Sequence, residues 1–150
     1  MELSYDAVVK YMKDYFEVFN TYGQNPETIH RLDDYYAPDV EFTPYVAGIG
    51  HCNSREEFYR VLFSHPSGYE KLTPEEIVVD ERRMMAVVLI KAEISDSKTK
   101  EILVTKRYFV LYPLEPDEDN TLKIKKIQLF WEVLPPGATE IDDVFARDRK

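Results

Sequence analysis

Apolar positions recur at helical spacing in the first third of the chain and with a period of two in the second half. From Ser4 to about Asn20, Ala7/Val8, Tyr11/Met12, Tyr15/Phe16 and Phe19 fall on one stripe, and Ser4 stands where an N-cap hydroxyl belongs. Thr21-Tyr22-Gly23-Gln24 interrupts the stripe. Asn25-Pro26 restarts it, asparagine as cap and proline at the first helical position, where a missing N–H costs nothing. This predicts a second helix, ending near Ala37-Pro38, with Ile29, Leu32 and Tyr35/Tyr36 on one face. Val40 to Tyr45 reads as a short strand with Pro44 near an edge. Gly48 to Asn53 reads as a loop. Ser54 and Glu57 then form a capping box, opening a helix that turns Phe58 and Val61/Leu62 inward and stops before Pro66.

From there the pattern is strand-like. Glu76–Val79, Met84–Ile94, Glu101–Leu114 and Leu122–Val133 are rich in β-branched and aromatic residues. The breaks at Asp80–Arg82, Ser95–Ser97 and Glu115–Asn120 are short enough to predict antiparallel hairpins. In Glu101–Leu114 both alternating sets are largely apolar, which predicts cover on both faces. The reading is one α+β domain over residues 1–134, helices first and then a curved mixed or antiparallel sheet, followed by a C-terminal tail, 135–150.

Composition changes little in this picture. The chain has 150 residues, 44% hydrophobic and 31% charged, so it is long enough for a core without staples and too apolar for disorder. One cysteine, Cys52, excludes an internal disulfide framework and a cysteine-rich zinc site. No apolar run is long enough to cross a bilayer and the start has no signal-peptide pattern, so the cytoplasm is the expected compartment. The net charge of −9 repels phosphate, which argues against nucleic acid and against an anionic membrane as partners.

The order of elements, together with Leu32–Phe42, the Gly50–Phe58 run into a helix, and Leu122–Glu132 as a last strand, resembles the nuclear-transport-factor-2-like superfamily, and within it the SnoaL-like, polyketide-cyclase-like branch. The resemblance spans roughly residues 5–134. It implies a cone-shaped, cystatin-like α+β barrel: a bent sheet wrapped around the N-terminal helices, its concave face lining a pocket and its convex face forming a homodimer. It does not imply one reaction, because the superfamily holds isomerases, dehydratases, cyclases, epoxide hydrolases and non-catalytic binders.

Aligned with the ketosteroid-isomerase pattern of an aspartate base and two oxyanion donors, the resemblance puts Tyr15 at the helix-borne donor. It puts Pro44, which cannot act as a base, at the aspartate, and Arg107 at the second donor. Two of three roles are lost, so that activity is not expected. The same alignment makes Leu103, Thr105, Arg107, Phe109 and Leu111 the concave set of their strand. Arg107 is then either a carboxylate or oxyanion clamp or half of an ion pair with Asp33, Asp34 or Glu132.

His51, in a glycine-rich loop, is a candidate acid or base by its intrinsic pKa. Asp34, beside Asp33, is a candidate base or a solvated surface charge. His30 reads as solvent-facing and His65 as a helix-end cation. Cys52 has no base in sequence reach beyond its neighbour His51. The candidate catalytic groups are therefore His51, Asp34, Arg107 and Tyr15. Trp131, Tyr45, Phe58, Phe109 and Leu129 are the candidate ligand wall, suited to a small apolar or aromatic molecule. No histidine pair has metal spacing and no cofactor motif is present, so neither a metal nor a cofactor is expected. Two classes of function stand: a ligand-binding or accessory domain, or a cofactor-independent lyase, isomerase or cyclase working by proton transfer.

Overall fold

The computed structural model describes residues 4–45 and 50–131, and Gly137. The start of the expected 48–53 loop, the end of the last expected strand at 132–133 and the C-terminal tail apart from Gly137 lie outside the described residues.

Helix α1 runs Tyr5–Tyr22. Ser4 caps it as expected, its hydroxyl accepting from the Ala7 amide at 3.2 Å. The buried side is Val8, Met12, Tyr15, Phe16 and Phe19, the stripe that the spacing marked. The second expected helix is shorter and tighter. Asn25 does not cap it: its side chain accepts from the Glu27 amide in a turn, and only Ile29–Asp34 coils, as a 3₁₀ helix whose N-cap is Thr28. The chain is already extended at Tyr36, so strand β1 spans Tyr36–Pro44, four residues earlier than the pattern suggested. Helix α2 is Arg55–Leu62. Its cap works as predicted on the Ser54 side, with the hydroxyl accepting from Glu57 N–H, while the Glu57 carboxylate reaches one residue further back, to Asn53 N–H.

Four long strands follow: β2 (Gly68–Asp80), β3 (Met85–Asp96), β4 (Ile102–Pro116) and β5 (Leu122–Phe130). Strand β2 begins eight residues before the expected Glu76. The three hairpins turn on one device. Asp80, Asp96 and Asp117 each accept two backbone N–H groups of their own turn, and Met84, Lys100 and Asn120 supply the left-handed residue.

The sheet order is β1-β5-β4-β3-β2, with β1 parallel to β5 and all other pairs antiparallel. The sheet is not closed into a barrel, and β1 and β2 are its edges. The β2 edge is covered by side-chain amides. Asn20 donates to Leu72 C=O and accepts from Leu72 N–H, both at 2.8 Å. Gln24 does the same for Glu70, at 2.6 and 2.7 Å. Asn20, in the last turn of α1, and Gln24, just past its C-cap, thus bind alternate residues of the edge, and the two amides stand in for a sixth strand. Pro74 sits further along the same edge, where its missing N–H breaks no ladder.

The core lies between the helices and the inner face of the sheet. There Ala86, Val88, Ile90 and Ala92 of β3 alternate with the more accessible Val87, Leu89 and Lys91. On β4, Tyr108, Val110, Tyr112 and Leu114 are inside and Phe109 between them is exposed, whereas toward the start of the strand both alternating sets, with Ile102, Leu103 and Val104, are exposed. The expectation that Glu101–Leu114 is covered on both faces therefore fails within one copy of the chain.

Candidate active site

The helices do not fill the hollow of the sheet. Tyr15 and Phe19 of α1, and Phe58, Val61 and Leu62 of α2, face Leu72, Ile90, Val110, Ile127 and Leu129 across a cavity of about 420 Å³. Phe42, Tyr108, Tyr112 and Trp131 complete its aromatic wall. Trp131 stacks on Tyr108, with centroids 4.8 Å apart and planes at 26°.

Two polar groupings interrupt this surface. The first is Glu70, half-buried, with its carboxyl on the wall. Tyr108 Oη donates to its Oε2 at 2.9 Å. Burial raises the Glu70 pKa above its usual 4.5, against the Tyr108 hydrogen bond and the charge of His65, which both favour the carboxylate. His65 is on the same wall, its Nδ1 3.3 Å from Gly68 C=O. The second is a chain of phenols. The Tyr15 and Tyr36 hydroxyls share a 2.5 Å hydrogen bond, and the Tyr112 ring stands edge-on to Tyr15 with centroids 5.9 Å apart. Burial is the main cause that holds all three well above the usual phenol pKa, so they are neutral hydrogen-bonding groups. Among the described residues no three His, Cys, Asp or Glu side chains gather as a metal site would require.

Of the nine residues the sequence marked, four lie on the cavity: Tyr15, Phe58, Leu129 and Trp131. The other five do not. Arg107 is on the outer face, exposed, with Nε and Nη2 donating to the Glu75 carboxylate at 2.6 and 3.2 Å. Its inward orientation is corrected, and its partner is none of the three acids considered. Phe109, two residues on, is likewise outside and 49% exposed. Both errors have one cause: a choice between two apolar faces of β4 that was wrong by one residue. Tyr45 is exposed and stacks on Phe130 at 4.5 Å, nearly parallel. His51 is exposed, its ring nitrogens 3.1 Å from Thr43 Oγ1 and 2.8 Å from Asn53 Oδ1.

Asp34 is exposed beside Tyr22 and Arg31, away from the cavity. The neighbouring Asp33 is the connected one: it accepts from Tyr59 Oη at 2.6 Å and pairs with Arg55 and His30. Buried Cys52 has its thiol pKa raised by burial, which disfavours the nucleophilic thiolate.

The pattern missed Glu70, Tyr108 and Tyr112, and gave His65 only a helix-end role. Tyr108 and Tyr112 went with the wrong face of β4. Glu70 was hidden because Tyr69-Glu70-Lys71-Leu72-Thr73-Pro74 alternates poorly and carries a proline. The readable signal was Leu72, a lone apolar position two residues from Glu70.

No family model and no curated protein matches the chain. Solved structures do. A nuclear-transport-factor-2-like protein from Anabaena variabilis superposes with a TM-score of 0.64 at 15% identity, over 89% of this chain and 95% of that one. The epoxide hydrolase/cyclase-like enzyme SalBIII, which has a role in pyran ring formation in the polyether salinomycin, gives 0.61 at 14% identity, over 82% and 88%. A Mesorhizobium loti protein likened to SnoaL-like polyketide cyclases gives 0.57 at 17%, over 83% and 98%.

The fold is NTF2-like.

At these identities the likeness carries architecture and no residue roles. Within the NTF2-like fold, the cavity between helices and sheet is the site that the geometry singles out.

Proposed function

We propose that this NTF2-like chain binds a small apolar or aromatic molecule in the cavity between its helices and sheet. One observation carries the reading: about 420 Å³ walled by aromatic and aliphatic side chains, a size within the roughly 300–1,000 Å³ of small-molecule sites. Isothermal titration with 2-naphthylmethanol and with 2-naphthylmethylamine tests it. At least one of the two binds the wild type, and Leu129→Trp, which fills the cavity from β5, abolishes that binding. Absence of binding by both probes, or binding unchanged in Leu129→Trp, overturns it.

A second reading is cofactor-free lyase, isomerase or cyclase chemistry. Glu70 favours it: a carboxyl whose pKa is raised by burial, held by a tyrosine and lining the ligand space, is suited to pass a proton to or from a bound molecule. Glu70 and Tyr108 then replace His51, Asp34 and Arg107 as the acid–base groups, and Tyr15, backed by Tyr36 and Tyr112, remains the hydrogen-bond donor.

A homodimer through the outer face of the sheet completes the proposal. Val78, Phe109, Phe130 and Tyr45 are 60%, 49%, 39% and 51% exposed on that face, and Leu89 and Phe109, and Phe109 and Phe130, are register partners. Sedimentation at micromolar concentration is expected to give a dimer that Phe109→Glu dissociates. A wild-type monomer counts against it.

A further inference from the structure

We propose that the cavity takes a ligand bearing a protonated amine, and that the Glu70 carboxylate receives it. This rests on the cavity being a ligand site, as argued above.

The carboxyl is the starting point. Its Oε2 accepts from Tyr108, and among the described residues no lysine or arginine pairs with it. Oε1 is not a buried atom lacking a partner, so it keeps accessible surface, and the residue lies on the cavity wall. A carboxylate partly withdrawn from water is stabilised by a cation beside it. The groups that could answer it are few. Tyr108 and Tyr112 of β4 are neutral donors. On the cavity wall, α1 contributes only Tyr15 and Phe19, and α2 only Phe58, Val61 and Leu62. His65, between α2 and β2, is the sole basic side chain there, and its Nδ1 is directed at Gly68 C=O. Among the described residues the carboxylate thus has His65 as its one basic neighbour and shares no lysine or arginine, which leaves a place for a cation brought by the ligand.

Two further features agree. The stacked Tyr108 and Trp131 rings on the cavity wall carry π-systems whose quadrupole attracts cations. The chain's net charge of −9 raises the local concentration of cations and repels anions. An amine entering beside Oε1 would hydrogen-bond to the carboxylate and shift its proton equilibrium toward the ionised form.

The test compares 2-naphthylmethylamine, cationic at pH 7, with the near-isosteric neutral 2-naphthylmethanol, by isothermal titration. In the wild type the amine is expected to bind at least about tenfold more tightly, the effect of one charge-assisted hydrogen bond. Glu70→Gln, which keeps shape and removes charge, is expected to erase that preference. Equal or tighter binding of the alcohol to the wild type overturns the inference and leaves the cavity reading standing. A preference for the amine that survives Glu70→Gln also overturns it. Failure of both probes overturns the cavity reading itself. The wild-type comparison needs no variant, so it decides the matter even where Glu70→Gln folds poorly.

Discussion

Adjacent residues of β4 lead different lives. Tyr108 is buried, stacked on Trp131 and hydrogen-bonded to Glu70. Arg107 and Phe109, on either side of it, face outward, one paired with Glu75 and the other half bare. The inner face holds its polar groups under desolvation, so each hydrogen bond and each proton there has a large effect. The outer face holds its charges in water, where an ion pair contributes little. Chemistry is therefore sought on the inner face and association on the outer one.

The largest effect that can break this contrast is a truncation on the inner face. Ile90→Ala, at a fully buried β3 position, is expected to lose about 2–5 kcal/mol in denaturant unfolding. A loss below about 1 kcal/mol would mean that the inner face is not packed as described. Next is the covered edge. Asn20→Ala removes both partners of the Leu72 backbone and is expected to cost about 1–3 kcal/mol, with faster hydrogen exchange at the Leu72 amide.

Glu70 makes a prediction about pH. Its pKa is raised on folding, so the folded state holds this proton more tightly than the unfolded chain does. Its contribution is most favourable below the usual 4.5 and declines as pH rises through the raised value. Relative to wild type, Glu70→Gln is expected to gain stability progressively as pH rises above about 4.5, read from thermal unfolding at several pH values. A difference independent of pH would sink the buried-carboxyl description. The smallest effect belongs to Arg107→Ala, which should leave the thermal midpoint of a dilute sample unchanged. A fall of several degrees would contradict its solvent exposure.

Much of the architecture was legible. The α1 stripe, the caps at Ser4 and Ser54, and the three hairpin breaks are local signals, written in a few neighbouring residues. Strand β2 was half legible, because Pro74 and the bulge beside it break the alternation that marks a strand. The second helix was misread in length because Tyr35 and Tyr36 satisfy a helical stripe as well as the start of a strand, and only pairing with β5 decides. Of the site, Tyr15, Phe58, Leu129 and Trp131 could be placed because their elements have one clear apolar face. Arg107 and Phe109 could not, since Leu103–Tyr112 is apolar on both.

The sequence by itself determined which segments coil, which extend and where they turn, because those preferences depend on side chains within a few residues of one another. Only the tertiary structure decided which face of β4 looks inward and that Glu70 lines the cavity. A period of two leaves two equivalent faces until helices pack against one of them, and desolvation of a carboxyl is set by atoms from α2, β2 and β4 that are distant along the chain.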